Sequence, residues 1–273
     1  MEIQWALVLF TVVAGAGAWL FAWTMLASLL KRAPEPSVLE CTVSFALLVI
    51  GGLMSVAHLK HVDRILEALN HPTSGIFVEA ALIGIMCALV AIYLVLLVRD
   101  TSAGARRAVG ITGALIGVVF SYACGASYMM EARQAWMTIA LPLGYCATAA
   151  AAGAGAHLLV KALEKRDDRV LSTAGLFAAA AGIVAFVLAA LFCVQAGPFL
   201  AAAGTQANAG ATALFVALAV TTAAGFAAKS RPRAGVALGS TALAGGFVGA
   251  IALRVVMWLV GTPLMNFFLM PLD

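Results

Sequence analysis

Charge is what this chain has least of. Only 10% of its 273 residues are Asp, Glu, Lys or Arg, against about 25% in a soluble domain. Mean hydropathy is +1.06 and 64% of residues are hydrophobic. A soluble core of this size cannot hide that much apolar surface, so the solvent has to be lipid. The net charge of +4 is small and its basic residues lie in short loops, which gives no basis for nucleic acid as a partner. Cysteine motifs are missing too. Cys41, Cys87, Cys124, Cys146 and Cys193 sit in or beside apolar runs, and no two have CxxC spacing. An iron–sulfur cluster needs four converging thiolates and a structural zinc site needs similar clustering. Neither is expected, and the thiols read as small hydrophobes. The start, Met1-Glu2-Ile3-Gln4-Trp5, lacks a basic n-region, and the apolar run after it far exceeds a signal-peptide core. It reads as a retained first span.

What is present is a series of long apolar runs. About 20 residues at 1.5 Å each cross a bilayer core of ~30 Å. Runs of that length give eight spans, near 4–30, 41–59, 76–98, 108–130, 136–160, 170–194, 211–228 and 236–260, with the uncharged stretch 195–210 as a loop. The predicted fold is an all-α integral membrane protein, one domain over 1–273, built as a bundle of eight transmembrane helices. Loops after odd-numbered spans hold twelve basic residues, among them Lys31, Arg106, Lys165 and Arg231, while the other side holds three, Lys60, Arg64 and Arg133. Basic residues favour the cytoplasmic side, so both termini are expected on the outer face.

One stretch cannot be read as apolar helix. Between Val56 and Glu79 lie His58, His61, His71, Asp63, Arg64 and Glu67, and the orientation puts them outside. Depth brings other groups to that level: Glu79 at the start of the third span, Tyr122 and Tyr128 in the outer half of the fourth, Arg254 in the outer third of the eighth. An ionisable residue in a membrane usually faces a cavity or a partner, so Glu79 and Arg254 are candidates to share one pocket. A structural Glu–Arg pair and a snorkelling Arg254 are the plainer alternatives.

Haem is not expected. His58 and His61 lie on one helix face, and His157 falls near the inner end of the fifth span, roughly a bilayer from His58, so neither pairing can take opposite sides of one haem. A zinc site from His58, His61 and a carboxylate is only weakly signalled. A hydroquinone headgroup suits this boundary better, because its oxidation releases two electrons and two protons. Histidine can accept a hydroxyl hydrogen bond and then the proton, and a partly buried carboxylate can relay it to water. A lipid-facing opening between Ala/Gly-rich helices would admit an isoprenoid tail. With no redox cofactor in the chain, electrons would leave to a partner docked outside.

At this stretch the sequence resembles the membrane anchor subunit of dimethyl sulfoxide reductase, the DmsC-like family within the wider NrfD-like group. The start, Met1 to Trp5 with Leu7-Val8-Leu9-Phe10-Thr11, is similar to the family's opening. His58, Leu59, Arg64, Leu69, Asn70, Thr73, Ser74 and Glu79 match its outer loop, and Gly249, Arg254 and Trp258 match its last span. Lys60, Val62 and Gly75 stand where the family has Gly, Pro and Trp, which predicts a more continuous helix through the loop and a differently shaped mouth. The resemblance implies an anchor in the bacterial cytoplasmic membrane that binds menaquinol. His58 and Glu79 would carry the chemistry; Arg64 and Arg254, which match the family pattern, and Tyr122 and Tyr128, which share their depth, are the other candidates for the binding site. It also implies electron transfer to a four-cluster ferredoxin-like iron–sulfur subunit, and from there to a molybdopterin catalytic subunit in anaerobic respiration. Two other readings remain: a multi-span transporter or exporter using Glu79 and Arg254, and a purely structural anchor. Transporters more often show broken helices and polar groups near the midplane.

Overall fold

The computed structural model describes residues 3–57, 70–71 and 73–261. His58, His61, Asp63, Arg64 and Glu67 lie outside the described residues. Among those described there are helices and turns but no strand. The helices are α1 (Trp5–Leu29), α2 (Val38–Ala57), α3 (Gly75–Val98), α4 (Ala103–Ala126), α5 (Ala140–Leu163), α6 (Asp168–Gln195), α7 (Gly197–Ala202), α8 (Gly204–Ser230) and α9 (Gly235–Val260). With the short α7 counted into α8, eight are long and apolar enough to cross a membrane. The expected all-helical, eight-span plan is what the chain adopts.

The stretch expected as a loop over 195–210 is helical instead. α6 runs to Gln195, α7 follows directly, and α8 starts at Gly204. Alanine is the strongest helix former and the stretch has no charge that would draw it into water. Pro198 sits in the first turn of α7, where its missing N–H costs nothing. The break comes at Gly204, whose φ of +76° is in the region glycine adopts freely. Trp136, expected to open the fifth span, lies in a single 3-10 turn over Gln134–Trp136, and α5 starts at Ala140.

α5 is the axis of the bundle: 83% of its apolar window is buried, against 17% for α3 at the rim. It packs on α1, α4, α6 and α9, while α3 touches mainly α4 and α2. Lipid offers no hydrophobic drive between helices, so small residues at close contacts have to supply the packing. The α5–α9 seam shows this. A Cβ on Gly155 would come within 2.5 Å of the Leu243 backbone, on Gly246 within 2.6 Å of Ala152, and on Gly239 within 2.7 Å of Leu159.

Alternate helices run in opposite directions, so the bundle has two ends. One carries the start of α1, the α2–α3 and α4–α5 connections and the end of α9. The other carries most of the basic residues. There α1, α3 and α5 stop in the same way, with Lys31, Asp100 and Lys165 in left-handed conformations (φ 54°, 46° and 54°). In each case the next amide reaches back to close the last turn: Arg32 to Ala27, Thr101 to Leu96, Arg166 to Lys161.

Candidate functional site

Glu79 stands one turn into α3, half-buried. The helix is started by Ser74, whose hydroxyl accepts from the Phe77 amide. Glu79 Oε1 is hydrogen-bonded to the hydroxyl of Ser127, the residue that ends α4. The approach depends on Gly75. A Cβ there would lie 2.8 Å from that of Ser127, so the missing side chain leaves the space that Ser127 fills. Ser127 has one hydroxyl proton and two acceptors in reach, Glu79 and the Cys124 carbonyl at 3.1 Å. With Glu79 ionised the serine proton turns to the carboxylate. With Glu79 protonated the carboxyl donates to Ser127, which then donates to Cys124. The pair keeps its hydrogen bond in either state.

Beside it lies an aromatic cluster. Tyr128, just past the end of α4, has its ring 5.7 Å from Trp136, 5.8 Å from Tyr145 and 6.0 Å from Trp258. Burial pushes its phenol well above the ordinary range, so it stays a neutral donor. Trp136 donates to the Met257 carbonyl at 2.7 Å. Arg133 lies 4.4 Å over the Trp136 ring and donates to the Gly261 carbonyl, which ties the α4–α5 connection to the end of α9. Burial pulls the Arg133 guanidinium downward from its usual value.

Arg254 is 1% exposed. Its guanidinium donates to Thr11 Oγ1 at 2.7 Å, Thr148 Oγ1 at 3.2 Å and the Ala250 carbonyl at 2.9 Å, and lies 4.0 Å over the Tyr145 ring. Among the described residues no carboxylate takes part. Tyr128 and Cys124 are within electrostatic reach of both Glu79 and Arg254, so the two share a neighbourhood without touching. Tyr122 is half-buried on α4 and makes no hydrogen bond or ring contact among the described residues. His71 is exposed and gives only its backbone carbonyl, to the Ser74 amide.

The opposite end holds a second polar centre. Glu40 (1% exposed) meets Lys161 Nζ at 2.7 Å and His157 Nδ1 at 3.2 Å. It also caps α2, accepting from the Ser37 amide at 3.0 Å while its own amide donates to Ser37 Oγ at 3.1 Å. The Ser37-x-x-Glu40 spacing and the i, i+4 pair His157/Lys161 could have pointed to it. Ser127 carried no such signal, because only the position where α4 ends brings it to Glu79. Among the described residues no three His, Cys, Asp or Glu side chains group closely enough to hold a metal ion.

None of the curated proteins matches the chain. A model of the DMSO reductase anchor subunit (DmsC) family matches residues 1–228, which takes in α1 to α7 and most of α8, with Glu79, Ser127 and Tyr128, and stops before Gly249, Arg254 and Trp258. Eight apolar spans and a family match over most of its length make one assignment: the chain belongs to the DMSO reductase anchor subunit (DmsC) family.

Proposed function

We propose that this anchor oxidises a quinol, menaquinol by the resemblance, at the end of the bundle that carries Glu79, and that this end faces outward. As a family member the chain is a membrane anchor of a DMSO reductase-type complex. The observation that carries the quinol reading is the Glu79–Ser127 pair: a carboxylate at the edge of a membrane-spanning helix, held by a hydroxyl that serves it protonated or ionised. That is what a residue passing a proton from a lipid-borne hydroxyl to water requires.

A bound quinol supplies two electrons and two protons. His58, at the other end of the same connection, accepts one hydroxyl proton, Glu79 the second, and both release to the aqueous side. Ser127 keeps the carboxylate in place through the change of charge. Tyr128 contributes a neutral donor, and Arg254 a fixed positive charge behind it. Arg64 is assigned to the binding site by the resemblance alone. The electrons pass to an extrinsic partner, a four-cluster ferredoxin-like subunit by the resemblance, and on to the molybdopterin catalytic subunit. The transporter alternative needs Glu79 and Arg254 on one path, whereas Arg254 is closed in by Thr11, Thr148 and Tyr145.

The test is made on the assembled complex. His58→Ala and Glu79→Gln are each expected to lower quinol-dependent reduction by 100-fold or more, the scale of a lost acid–base group. Both should leave reduction from a soluble dye donor intact. Normal quinol turnover in both variants would overturn the assignment.

A further inference from the structure

At the basic end, α1, α3 and α4 enclose a cavity of about 280 Å³ that the quinol chemistry does not use. A single water occupies about 30 Å³ in the liquid, so there is room for a substantial ligand. Lys31, Arg107 and Glu35 line it together with Met25, Ser28 and Tyr93. The charges are not balanced among themselves. Glu35 takes Arg106 at 2.9 Å, and Arg106 also meets Asp100 at 3.2 Å. Among the described residues, the exposed side chains of Lys31 and Arg107 have neither hydrogen bond nor ion pair. The backbone of Lys31 is nonetheless fixed, in the left-handed cap that ends α1, with its amide on the Ser28 carbonyl at 2.9 Å.

The second observation is Tyr93. It sits five residues before the end of α3, about 8 Å deeper at 1.5 Å per residue. The residue is 1% exposed, and its hydroxyl makes no hydrogen bond among the described residues. The ring is packed inside the bundle while the residue borders the cavity, so the hydroxyl is left free to donate to whatever occupies it. Two exposed cations at the mouth and a phenol donor deeper in the same space fit an anion rich in acceptor oxygens.

We propose that this cavity holds the phosphate of an anionic phospholipid headgroup from the adjoining leaflet. Lys31 and Arg107 bind the phosphate oxygens, and the Tyr93 hydroxyl donates to the deeper part of the headgroup. Two features favour lipid over free phosphate. Met25 and Leu29 add apolar wall, and on α3 a shallow groove along Leu94, Val95 and Val98 gives an acyl chain a bed.

The experiment uses the purified full chain in mild detergent, titrated with phosphatidylglycerol, phosphatidylcholine or inorganic phosphate. Binding is followed by native mass spectrometry and by thermal unfolding. Phosphatidylglycerol is expected to bind and stabilise well beyond the other two. Lys31→Gln with Arg107→Gln should weaken it about 30-fold, which corresponds to ~1 kcal/mol per basic residue near an anionic surface. Tyr93→Phe keeps the ring and its edge-on contact with Phe21 at 5.4 Å, so it separates binding from folding; it should cost severalfold in affinity. Lys165→Gln, at the same end but outside the cavity, should change nothing. Equal losses from Lys165→Gln, or stabilisation by phosphate as large as by the lipid, would overturn the proposal.

Discussion

At the scale of single residues, Arg254 is held by hydroxyls and a carbonyl, so variants of the cation and of its partners should differ. Arg254 borrows hydroxyls that are already satisfied: Thr11 Oγ1 reaches the Leu7 carbonyl at 3.1 Å and Thr148 Oγ1 the Gly144 carbonyl at 2.8 Å. Arg254→Met therefore strands no partner and should cost only about 1 kcal/mol in unfolding assays. Thr11→Val with Thr148→Val strands the guanidinium and should cost more, about 1.5–3 kcal/mol for each bond to a charged group. At the proposed quinol end, Ser127→Ala is expected to slow quinol oxidation by roughly tenfold and leave assembly intact, since Glu79 keeps its place but loses the hydroxyl that follows its charge. Gly75→Ala should reproduce that loss by displacing Ser127. A normal rate in both variants would mean the serine plays no part. Glu79 and Arg254 stood out in the sequence because charge is rare in apolar runs. Their separation did not, because depth along a helix says nothing of the direction in which a side chain points.

Whole helices were legible from hydropathy, and their ends much less so. The first, third, sixth and eighth spans fall within a residue or two of α1, α3, α6 and α9. The fourth was placed about four residues late, which hid Ser127 inside a span instead of at its end. The extended α8 was missed because Ala/Gly composition suits a loop as well as a helix until packing decides. Glu40 is a case of two functions in one side chain, since it caps α2 and also fastens that helix to α5 through Lys161 and His157. Lys161→Met leaves a buried carboxylate short of its best partner and is expected to destabilise the chain by about 3–5 kcal/mol, read as a lowered midpoint of thermal or detergent unfolding. At the end of α5, Lys165→Gly relieves a left-handed side-chain residue and should raise stability by up to about 1 kcal/mol.

For the molecule as a whole, the proposed orientation rests on loop charge, and labelling checks it. A cysteine at Asn70, exposed in the connection before α3, should react with a membrane-impermeant thiol reagent in intact cells. One at Lys165 should react only after lysis. Cys41 and Cys124 are buried and the other native thiols lie within spans, so the background should be low. The reverse pattern would invert the topology and move the quinol site to the inner face. The position of α3 has a kinetic consequence as well. With Ile76, Ile85, Ile92 and Val95 each about half exposed, the helix bearing Glu79 borders the bilayer rather than the interior of the bundle. On the proposed function, a quinol arriving there travels in two dimensions, and the relevant concentration is molecules per area of membrane. Proteoliposomes diluted with extra lipid, at constant total quinol and protein, should turn over more slowly, while dilution with buffer alone should leave the rate per complex unchanged.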